Sequence, residues 1–313
     1  MGYSTVANKP VIALLGPTAS GKTAASLALA SRYPIEIISM DSALVYRGMD
    51  IGTAKPSEAL RQEIPHHLID IVEPWELYSA ASFVQDTVVA VDDILARGKV
   101  PLLVGGTVLY YKALADGLNQ IPATDPIKKI ELDARFDTLG YAAMKAELDR
   151  VDPVWGAQIA LNDRQRLLRG LAVYEQTGKP ISSYHREAKR EKPPFDLLPF
   201  AQVVEPRSVL HQRIAERFQQ MLDDGFLQEV ETLLAHPNIS RDSNAMRAVG
   251  YRQAIAYLHG EDDYASFVEK GIAATRQLAK RQLTWLRSMP EVEGHLTNES
   301  LISAMSAAIE STL

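Results

Sequence analysis

The sequence predicts an α/β fold in which a parallel sheet is flanked by helices, with an inserted helical subdomain and a helical C-terminal part. Three observations predict it. The octapeptide at residues 16–23 fits Gly-x-x-x-x-Gly-Lys-[Ser/Thr] and directly follows an apolar run. Further apolar runs alternate with helical patterns, which is typical of parallel sheets. Residues 118–199 are instead turn-rich at their start, charged and mostly helical in pattern.

The strands are predicted from apolar runs, and the helices from their periodicity and end signals. The predicted strands span residues 11–15, 35–40, 67–72, 100–104 and 200–204. The first predicted helix, residues 23–32, ends before Pro34, because proline disfavours helix in the residue that precedes it. A second, residues 82–95, is closed by Gly98. Residues 207–236 and 264–289 are also predicted to be helical, and a last helix starts near Asn298.

The octapeptide predicts a phosphate-binding loop and hence a sheet of the P-loop NTPase type. Its glycines allow a tight turn that points backbone N–H groups at phosphate oxygens, Lys22 adds positive charge, and the Thr23 hydroxyl is a ligand for Mg²⁺. The predicted phosphate-binding residues are Gly16, Thr18, Ala19, Ser20, Gly21, Lys22 and Thr23. Hydrolysis, phosphoryl transfer and release of a diphosphate leaving group all require such a loop, so it leaves the reaction open.

Composition excludes several classes of protein. The 313 residues are 46% hydrophobic and 23% charged, which is ordinary for a globular chain. The absence of cysteine excludes disulfides, thiolate zinc sites and a cysteine nucleophile, and fits a cytoplasmic location. No apolar run is long enough to span a membrane. The net charge of −6 argues mildly against a nucleic-acid partner, although recognition needs only a local basic face.

Asp41 follows the second predicted strand and therefore lies near the phosphate-binding loop. It could ligate Mg²⁺, accept a proton from a substrate hydroxyl or amine, or cap a helix. Residues 41–56 combine polar, aromatic and glycine residues without a helical or strand period, which a ligand explains better than a core does. The fourth strand ends in Gly105 and Gly106 where a nucleoside triphosphatase usually has a metal-positioning Asp; Asp70 is predicted to lie inside a strand instead.

Basic residues form clusters despite the acidic total. Residues 270–290 carry five basic and no acidic side chains, and Arg276, Lys280 and Arg287 recur at helical spacing. Residues 165–169 and 179–192 add further positive charge. Each cluster alone is equally consistent with a solvated helix face, but the interleaved Tyr184, Tyr251 and Trp285 favour contact with RNA, whose splayed bases stack on aromatic rings.

Arg213 and Arg217 stand four residues apart on the helix predicted from residue 207. They would face the same way, so that one or both could bind a phosphate through a bidentate guanidinium. Surface pairing with Glu216 or Asp223 is the alternative, equally plausible for Arg213.

Five blocks of the chain together resemble the bacterial tRNA dimethylallyltransferase family. They are residues 16–23, 41–56, 105–110, 247–253 and 280–287. The block at residues 41–56, Asp-Ser-Ala-Leu-Val-Tyr-Arg-Gly-Met-Asp-Ile-Gly-Thr-Ala-Lys-Pro, is long and specific, and none of the blocks departs from the family pattern. The resemblance implies transfer of a dimethylallyl group from dimethylallyl diphosphate to N6 of adenosine 37 in the tRNA anticodon loop, with Mg²⁺ and release of diphosphate.

The resemblance also implies roles for individual residues. Asp41, Thr23 and Arg217 would be catalytic, and Thr23 would hold the metal. The implied tRNA contacts are Asp41, Ser42, Ala43, Leu44, Thr107, Gln165, Arg166, Leu167, Leu168, Arg169, Met246, Arg247, Ala248, Val249, Gly250, Tyr251, Lys280, Arg281, Gln282, Leu283, Thr284, Trp285, Leu286 and Arg287.

The predicted organisation is a catalytic core at residues 1–117 and 200–313, with a tRNA-contacting insert at residues 118–199. We expect a monomer that acts on tRNA and dimethylallyl diphosphate without a membrane. A P-loop small-molecule or nucleoside kinase is the alternative, with Asp41 accepting the proton of a hydroxyl, and a nucleotide switch that binds nucleic acid is a more distant one.

Overall fold

The computed structural model describes residues 10–119, 121–160, 162–187 and 190–313. They form two compact units. One unit comprises the chain up to Ala115 and from Pro193 onward, and the other comprises Asp116–Lys192. The second unit is thus shorter than the predicted insert of residues 118–199, because residues 193–199 lead into and begin a strand of the first unit.

The first unit is built on a six-stranded sheet in which all neighbouring strands are parallel, so the predicted α/β class is confirmed. The strands are β1 (Val11–Leu15), β2 (Ile35–Met40), β3 (His66–His67), β4 (Val100–Gly105), β5 (Leu197–Gln202) and β6 (Glu293–His295). Their spatial order is β3-β2-β4-β1-β5-β6. The carboxyl ends of β1, β2 and β4 are therefore neighbours, because Leu15 pairs with Gly105 and Gly105 with Met40.

The helices largely follow the predicted periodicity. They are α1 (Lys22–Ala30), α2 (Glu58–Glu63), α3 (Ala80–Ala96), α4 (Val108–Asp116), α5 (Pro126–Val151), α6 (Pro153–Gly156), α7 (Arg164–Thr177), α8 (Ile181–Glu187), α9 (Arg207–Asp223), α10 (Phe226–Leu234), α11 (Tyr251–Leu258), α12 (Tyr264–Arg287) and α13 (Asn298–Thr312). The single helix predicted at residues 207–236 is two helices, because Gly225 adopts a left-handed φ of 98° between α9 and α10.

The strand predicted at residues 67–72 is wrong beyond His67. Leu68 and Asp70 have positive φ values of 61° and 55°, which extended strands do not use. Asp70 accepts hydrogen bonds from Lys55 and Arg61, the latter at 2.7 Å, so these contacts hold a loop here in place of a strand. The three-residue strand β6 was not predicted, since so short a segment has no periodicity.

Both faces of the sheet are buried under helices, as a parallel sheet requires. On one face, Val11, Ala13 and Leu15 pack in a cluster with residues of α3 and α4. On the other, Ile12 and Leu14 pack with residues of α1 and α13. A third cluster contains residues of the four helices α9, α10, α11 and α12, together with Val45, Tyr46 and Met49 of the segment after β2. That segment is therefore held on the helical layer.

The second unit is helical, with its own hydrophobic cluster that includes Leu148 of α5 and Leu167 of α7. Gly140 interrupts α5 with a φ of 76°. The buried Asp152 carboxylate accepts hydrogen bonds from Trp155 N at 3.0 Å and Ser182 N at 2.9 Å, which fastens the start of α6 to α8. In the part of the chain that the structure describes, we find no helix with the length and apolar character to cross a membrane.

Candidate active site

The phosphate-binding loop leaves β1 and ends at the N-terminus of α1. Its turn depends on left-handed backbone at Gly16 (φ 155°), Ala19 (φ 61°) and Gly21 (φ 101°). A Cβ at Gly16 would lie 2.8 Å from the carbonyl oxygen of Gln202, so this position also needs glycine for space. The loop therefore has the fold of a phosphate cradle, with the helix N-terminus adding its partial positive charge.

Lys22 lies in this loop, and its Nζ donates a hydrogen bond to the carbonyl oxygen of Pro17 at 2.6 Å. Burial lowers the pKa of Lys22 to about 8, an effect that Asp41 opposes and Arg217 reinforces. The ammonium group is thus still mostly charged at neutral pH. It loses its charge as the pH rises through about 8, within reach of experiment.

Asp41 follows β2 and lines the same cavity as the loop. Its Oδ1 accepts hydrogen bonds from Ala43 N at 2.8 Å and Leu44 N at 3.4 Å. Beside it, Thr107 Oγ1 accepts a hydrogen bond from Ser42 N at 3.0 Å, which joins the segments after β2 and β4. No helix begins in the described residues 42–57 that follow Asp41, so it is not a helix cap; its Oδ1 instead holds the turn at residues 42–45, and Asp41 still lines the cavity.

Arg217 reaches the cavity from α9. Its Nη2 donates a hydrogen bond to the carbonyl oxygen of Thr53 at 3.1 Å. Burial lowers the pKa of Arg217 from its ordinary value, while the charge of Asp41 raises it. Arg213, one turn earlier on α9, is exposed and does not line the cavity. The structure thus shows that Arg217 lines the cavity and Arg213 does not, a difference that the sequence could not show.

The cavity has a volume of about 870 Å³ and belongs entirely to the first unit. Besides Arg217 and Asp41, the residues that line it include the following predicted site residues: Thr18, Ala19, Ser20, Gly21, Lys22, Thr23, Ser42, Ala43, Leu44, Thr107, Arg247, Ala248, Val249, Gly250, Tyr251, Arg281, Gln282 and Trp285. Gly16 lies behind the loop against β5. Trp285 is 46% exposed, with Lys112 Nζ 4.7 Å from its ring centroid, so its ring is available at the surface.

Gln282, one of the predicted RNA contacts, also makes contacts inside the protein. It is buried, and its Nε2 donates a hydrogen bond to the carbonyl oxygen of Gly106 at 2.8 Å. Its Oε1 accepts one from Thr18 N at 2.9 Å. A Cβ at Gly106 would come within 2.4 Å of the Gln282 amide nitrogen. Gln282 therefore joins α12 to the phosphate-binding loop.

Several other predicted RNA contacts have side chains that are buried inside the protein, and direct contact by these side chains stays a prediction. Met246, Leu167, Leu283 and Leu286 pack inside hydrophobic clusters. Tyr251 is fully buried, with its ring edge-on to Phe226, so it is no platform for a base.

The exposed members of the predicted RNA set keep their assignment as a prediction. In the first unit they are Ser42, Arg247, Lys280, Arg281, Thr284, Trp285 and Arg287. In the second unit Gln165 and Arg166 are exposed and Leu168 is half-buried. Arg169 instead holds a turn of its own unit, donating to Thr124 Oγ1 at 2.6 Å and to the carbonyl oxygen of Pro122 at 2.7 Å. Lys189, part of the basic run at residues 179–192, lies outside the described residues.

Glu229 of α10 is a residue of this region that no sequence motif revealed. Its carboxylate accepts hydrogen bonds from the backbone N–H groups of Asp50, Ile51 and Gly52 at 2.8, 2.6 and 3.1 Å. These contacts link parts of the chain 177–179 residues apart, so periodicity could not have indicated them.

The oxygen groups of the cavity suit a hard divalent cation held jointly with substrate. Thr23 lines the cavity at the start of α1, and the buried Ser20 hydroxyl beside it has no hydrogen-bond partner. Within the described ranges, no group of three or more His, Cys, Asp or Glu could hold a metal by itself. Such a site fits Mg²⁺, which commonly binds through one or two protein oxygens, substrate phosphates and water.

Known proteins resemble this chain over most of its length. A family model described as IPP transferase matches residues 44–289. The tRNA dimethylallyltransferase of Burkholderia lata is 53% identical over 284 residues, which cover 90% of this chain and 88% of that protein.

Solved structures agree in fold. The full-length tRNA isopentenylpyrophosphate transferase of Bacillus halodurans is 33% identical, with a TM-score of 0.70 and coverage of 97% and 98% of the two chains. A eukaryotic dimethylallyltransferase, captured in crystallographic snapshots acting on tRNA, is 27% identical, with a TM-score of 0.78 over 97% of this chain and 79% of that one. With a phosphate-binding loop, a carboxylate and a buried guanidinium on one cavity, and with these relatives, the chain is an enzyme that belongs to the IPP transferase family.

Proposed function

We propose that this enzyme transfers the dimethylallyl group of dimethylallyl diphosphate to N6 of adenosine 37 in tRNA and releases diphosphate. The observation that carries the proposal is the arrangement of one cavity, in which the cations Lys22 and Arg217 lie within electrostatic range of the Asp41 carboxylate. Cations suit a diphosphate leaving group, and the carboxylate suits an amine that must lose a proton. The relatives named as tRNA dimethylallyltransferases support this reaction over a kinase.

The phosphate-binding loop would hold the diphosphate through its backbone N–H groups and Lys22, while Arg217 would bind it from α9. Thr23 and the substrate oxygens would hold Mg²⁺, which when bound offsets the charge that accumulates on the diphosphate. Because Lys22 and Arg217 are both fixed by contacts to backbone carbonyls, little reorganisation is needed when that charge develops.

Asp41 would orient the adenine amine and take up its proton. The lone pair of N6 forms the new bond to the allylic carbon, and the bond from that carbon to the diphosphate oxygen breaks. The proton released from N6 goes to the Asp41 carboxylate, so charge and atoms balance. Since Oδ1 is engaged by two backbone N–H groups, the carboxylate has a fixed orientation for this transfer.

The adenosine has to leave its stack to reach this cavity, because a stacked anticodon loop shields the amine. The exposed side chains Arg247, Arg281 and Trp285 line the cavity and would hold the distorted loop. In the second unit, the exposed Gln165 and Arg166 would contact tRNA. We further propose that the enzyme acts in the cytoplasm as a monomer.

A transfer assay tests the proposal. Unmodified tRNA, dimethylallyl diphosphate labelled in its allyl group, and Mg²⁺ should give labelled tRNA without any added nucleotide. Absence of allyl label in tRNA, together with transfer of the γ-phosphoryl group of a nucleoside triphosphate to a small-molecule acceptor, would support the kinase alternative and contradict the proposal.

The charge of Lys22 predicts the pH dependence of diphosphate binding. Because the cation is lost as the pH rises through about 8, affinity should fall with rising pH. We expect the Kd for dimethylallyl diphosphate, measured by titration calorimetry without tRNA, to rise about tenfold between pH 7 and pH 9.

Lys22→Arg is the matched control for this prediction, because a guanidinium keeps its charge across the range and should flatten the profile. A wild-type profile as flat as that of Lys22→Arg would show that Lys22 does not contribute its charge to the bound diphosphate.

A further inference from the structure

The Glu229 carboxylate collects four donors on its two oxygens, the number that an ionised carboxylate can accept. Oε2 accepts the backbone N–H groups of Asp50 and Ile51 at 2.8 and 2.6 Å. Oε1 accepts the N–H of Gly52 at 3.1 Å and the hydroxyl of Tyr251 at 2.5 Å. Three consecutive amides on one side chain fix the backbone course of residues 50–52.

The same backbone is fixed from its other side. A Cβ at Gly52 would lie 2.2 Å from the ring of Phe226 and 2.7 Å from that of Tyr251, so the chain packs directly on both rings. Lys55 Nζ, almost fully buried, donates to the carbonyl oxygen of Tyr46 at 2.8 Å and to Asp50 Oδ1 at 2.6 Å. Residues 50–55 are thus held by side-chain contacts from Glu229 and Lys55, although they have no regular secondary structure.

The next residue along this backbone is the one that holds Arg217. The Thr53 carbonyl oxygen accepts from Arg217 Nη2 at 3.1 Å, and the Thr53 hydroxyl donates to the carbonyl oxygen of Met49 at 2.6 Å. The Thr53 carbonyl can keep its direction only if the peptide units before it do. A continuous chain of contacts therefore runs from Glu229 through residues 50–52 and Thr53 to the guanidinium.

We propose that Glu229 is a positioning residue: it fixes the backbone of residues 50–52 so that the Thr53 carbonyl holds Arg217 at the diphosphate. The inference rests on the proposed function of Arg217. Glu229 itself is not a cavity-lining residue, so it acts through the groups it holds; the loss of Arg217 removes the route through Thr53 and leaves the route through Tyr251 intact.

A double-mutant cycle between Glu229 and Arg217 tests the inference. Glu229→Gln keeps the size of the side chain but turns an NH₂ group toward backbone donors, and it should lower kcat/KM for dimethylallyl diphosphate by about 10- to 100-fold, the loss that a small misplacement produces. In an Arg217→Gln background the same change should cost less than about threefold, since there is no guanidinium left to misplace. Glu231→Gln, an exposed change on the same helix, is the control and should leave kcat/KM unchanged.

The outcomes separate the two proposals. If Arg217→Gln keeps wild-type kcat/KM, the function proposed for Arg217 fails. If Arg217→Gln is impaired but the losses multiply in the double variant, or if Glu229→Gln is fully active, the positioning role of Glu229 is overturned. The midpoint of thermal unfolding is measured for every variant. If Glu229→Gln does not fold, Glu229→Asp, which keeps the charge on a side chain one methylene shorter, takes its place in the same cycle.

Discussion

Replacing Asp41 with asparagine is expected to lower kcat for dimethylallyl transfer by about 10²- to 10⁴-fold, the usual contribution of a general base. The asparagine carbonyl oxygen can still accept the hydrogen bonds of Ala43 N and Leu44 N, so the turn after β2 should keep its shape. What asparagine lacks is the capacity to take up the N6 proton. Single-turnover kinetics with saturating tRNA and dimethylallyl diphosphate measures the loss.

Asp41→Ala separates the turn-holding role of Asp41 from its catalytic role. It removes both, so we expect the loss of turnover seen for Asp41→Asn together with a lower midpoint of thermal unfolding, because losing the hydrogen bonds from Ala43 N and Leu44 N costs about 1 kcal/mol. Binding of tRNA should change little in either variant. Near-normal turnover of folded Asp41→Asn would contradict the role of Asp41 as base and leave only its role in holding the turn after β2.

Replacing Arg217 with glutamine should lower kcat/KM for dimethylallyl diphosphate by about 10²- to 10³-fold, as for the loss of one preorganised donor to developing charge. The guanidinium is mostly buried at the cavity and already fixed by the Thr53 carbonyl oxygen, so water cannot easily replace it. Steady-state kinetics at saturating tRNA measures the effect. Arg217→Lys should recover only part of it, because an ammonium group lacks the forked geometry.

Arg213→Gln is the matched control for Arg217, since it removes the same charge one helical turn away on an exposed surface. We expect it to keep kcat/KM within about twofold, because exposed charges contribute little. Equal losses in the two variants would show that the net charge of α9, and not a guanidinium in the cavity, is what the substrate senses.

Much of the sheet and the phosphate-binding loop could be predicted because their signals are local. The bounds of β1 and β2 are those of the apolar runs. The turn of the loop depends on the positive φ of Gly16 and Gly21, which the local glycine spacing already indicates. Asp41 could be placed near Lys22 for the same reason, since the ends of neighbouring parallel strands meet at one edge.

The parts that could not be predicted depend on contacts between distant residues. Thr18 and Gln282 are 264 residues apart, yet their hydrogen bond sets where α12 lies against the loop. Asp70 looked like a strand residue because its neighbours are apolar, but its pairing with Lys55 and Arg61 decides its backbone. The RNA contacts were predicted for whole motif blocks, and the sequence alone did not show that Leu283 and Leu286 occupy the buried side of α12 and Lys280 the exposed side.

The two hydrogen bonds of Gln282 have a thermodynamic consequence for an enzyme with two substrates. A single amide group engages Gly106 of one segment and Thr18 of another, so its plane cannot rotate for one partner without leaving the other. A shift of α12 when a ligand binds its basic surface would therefore also move the phosphate-binding loop through Thr18. Linkage makes such an influence mutual: the factor by which tRNA changes the affinity for the diphosphate is the factor by which the diphosphate changes the affinity for tRNA.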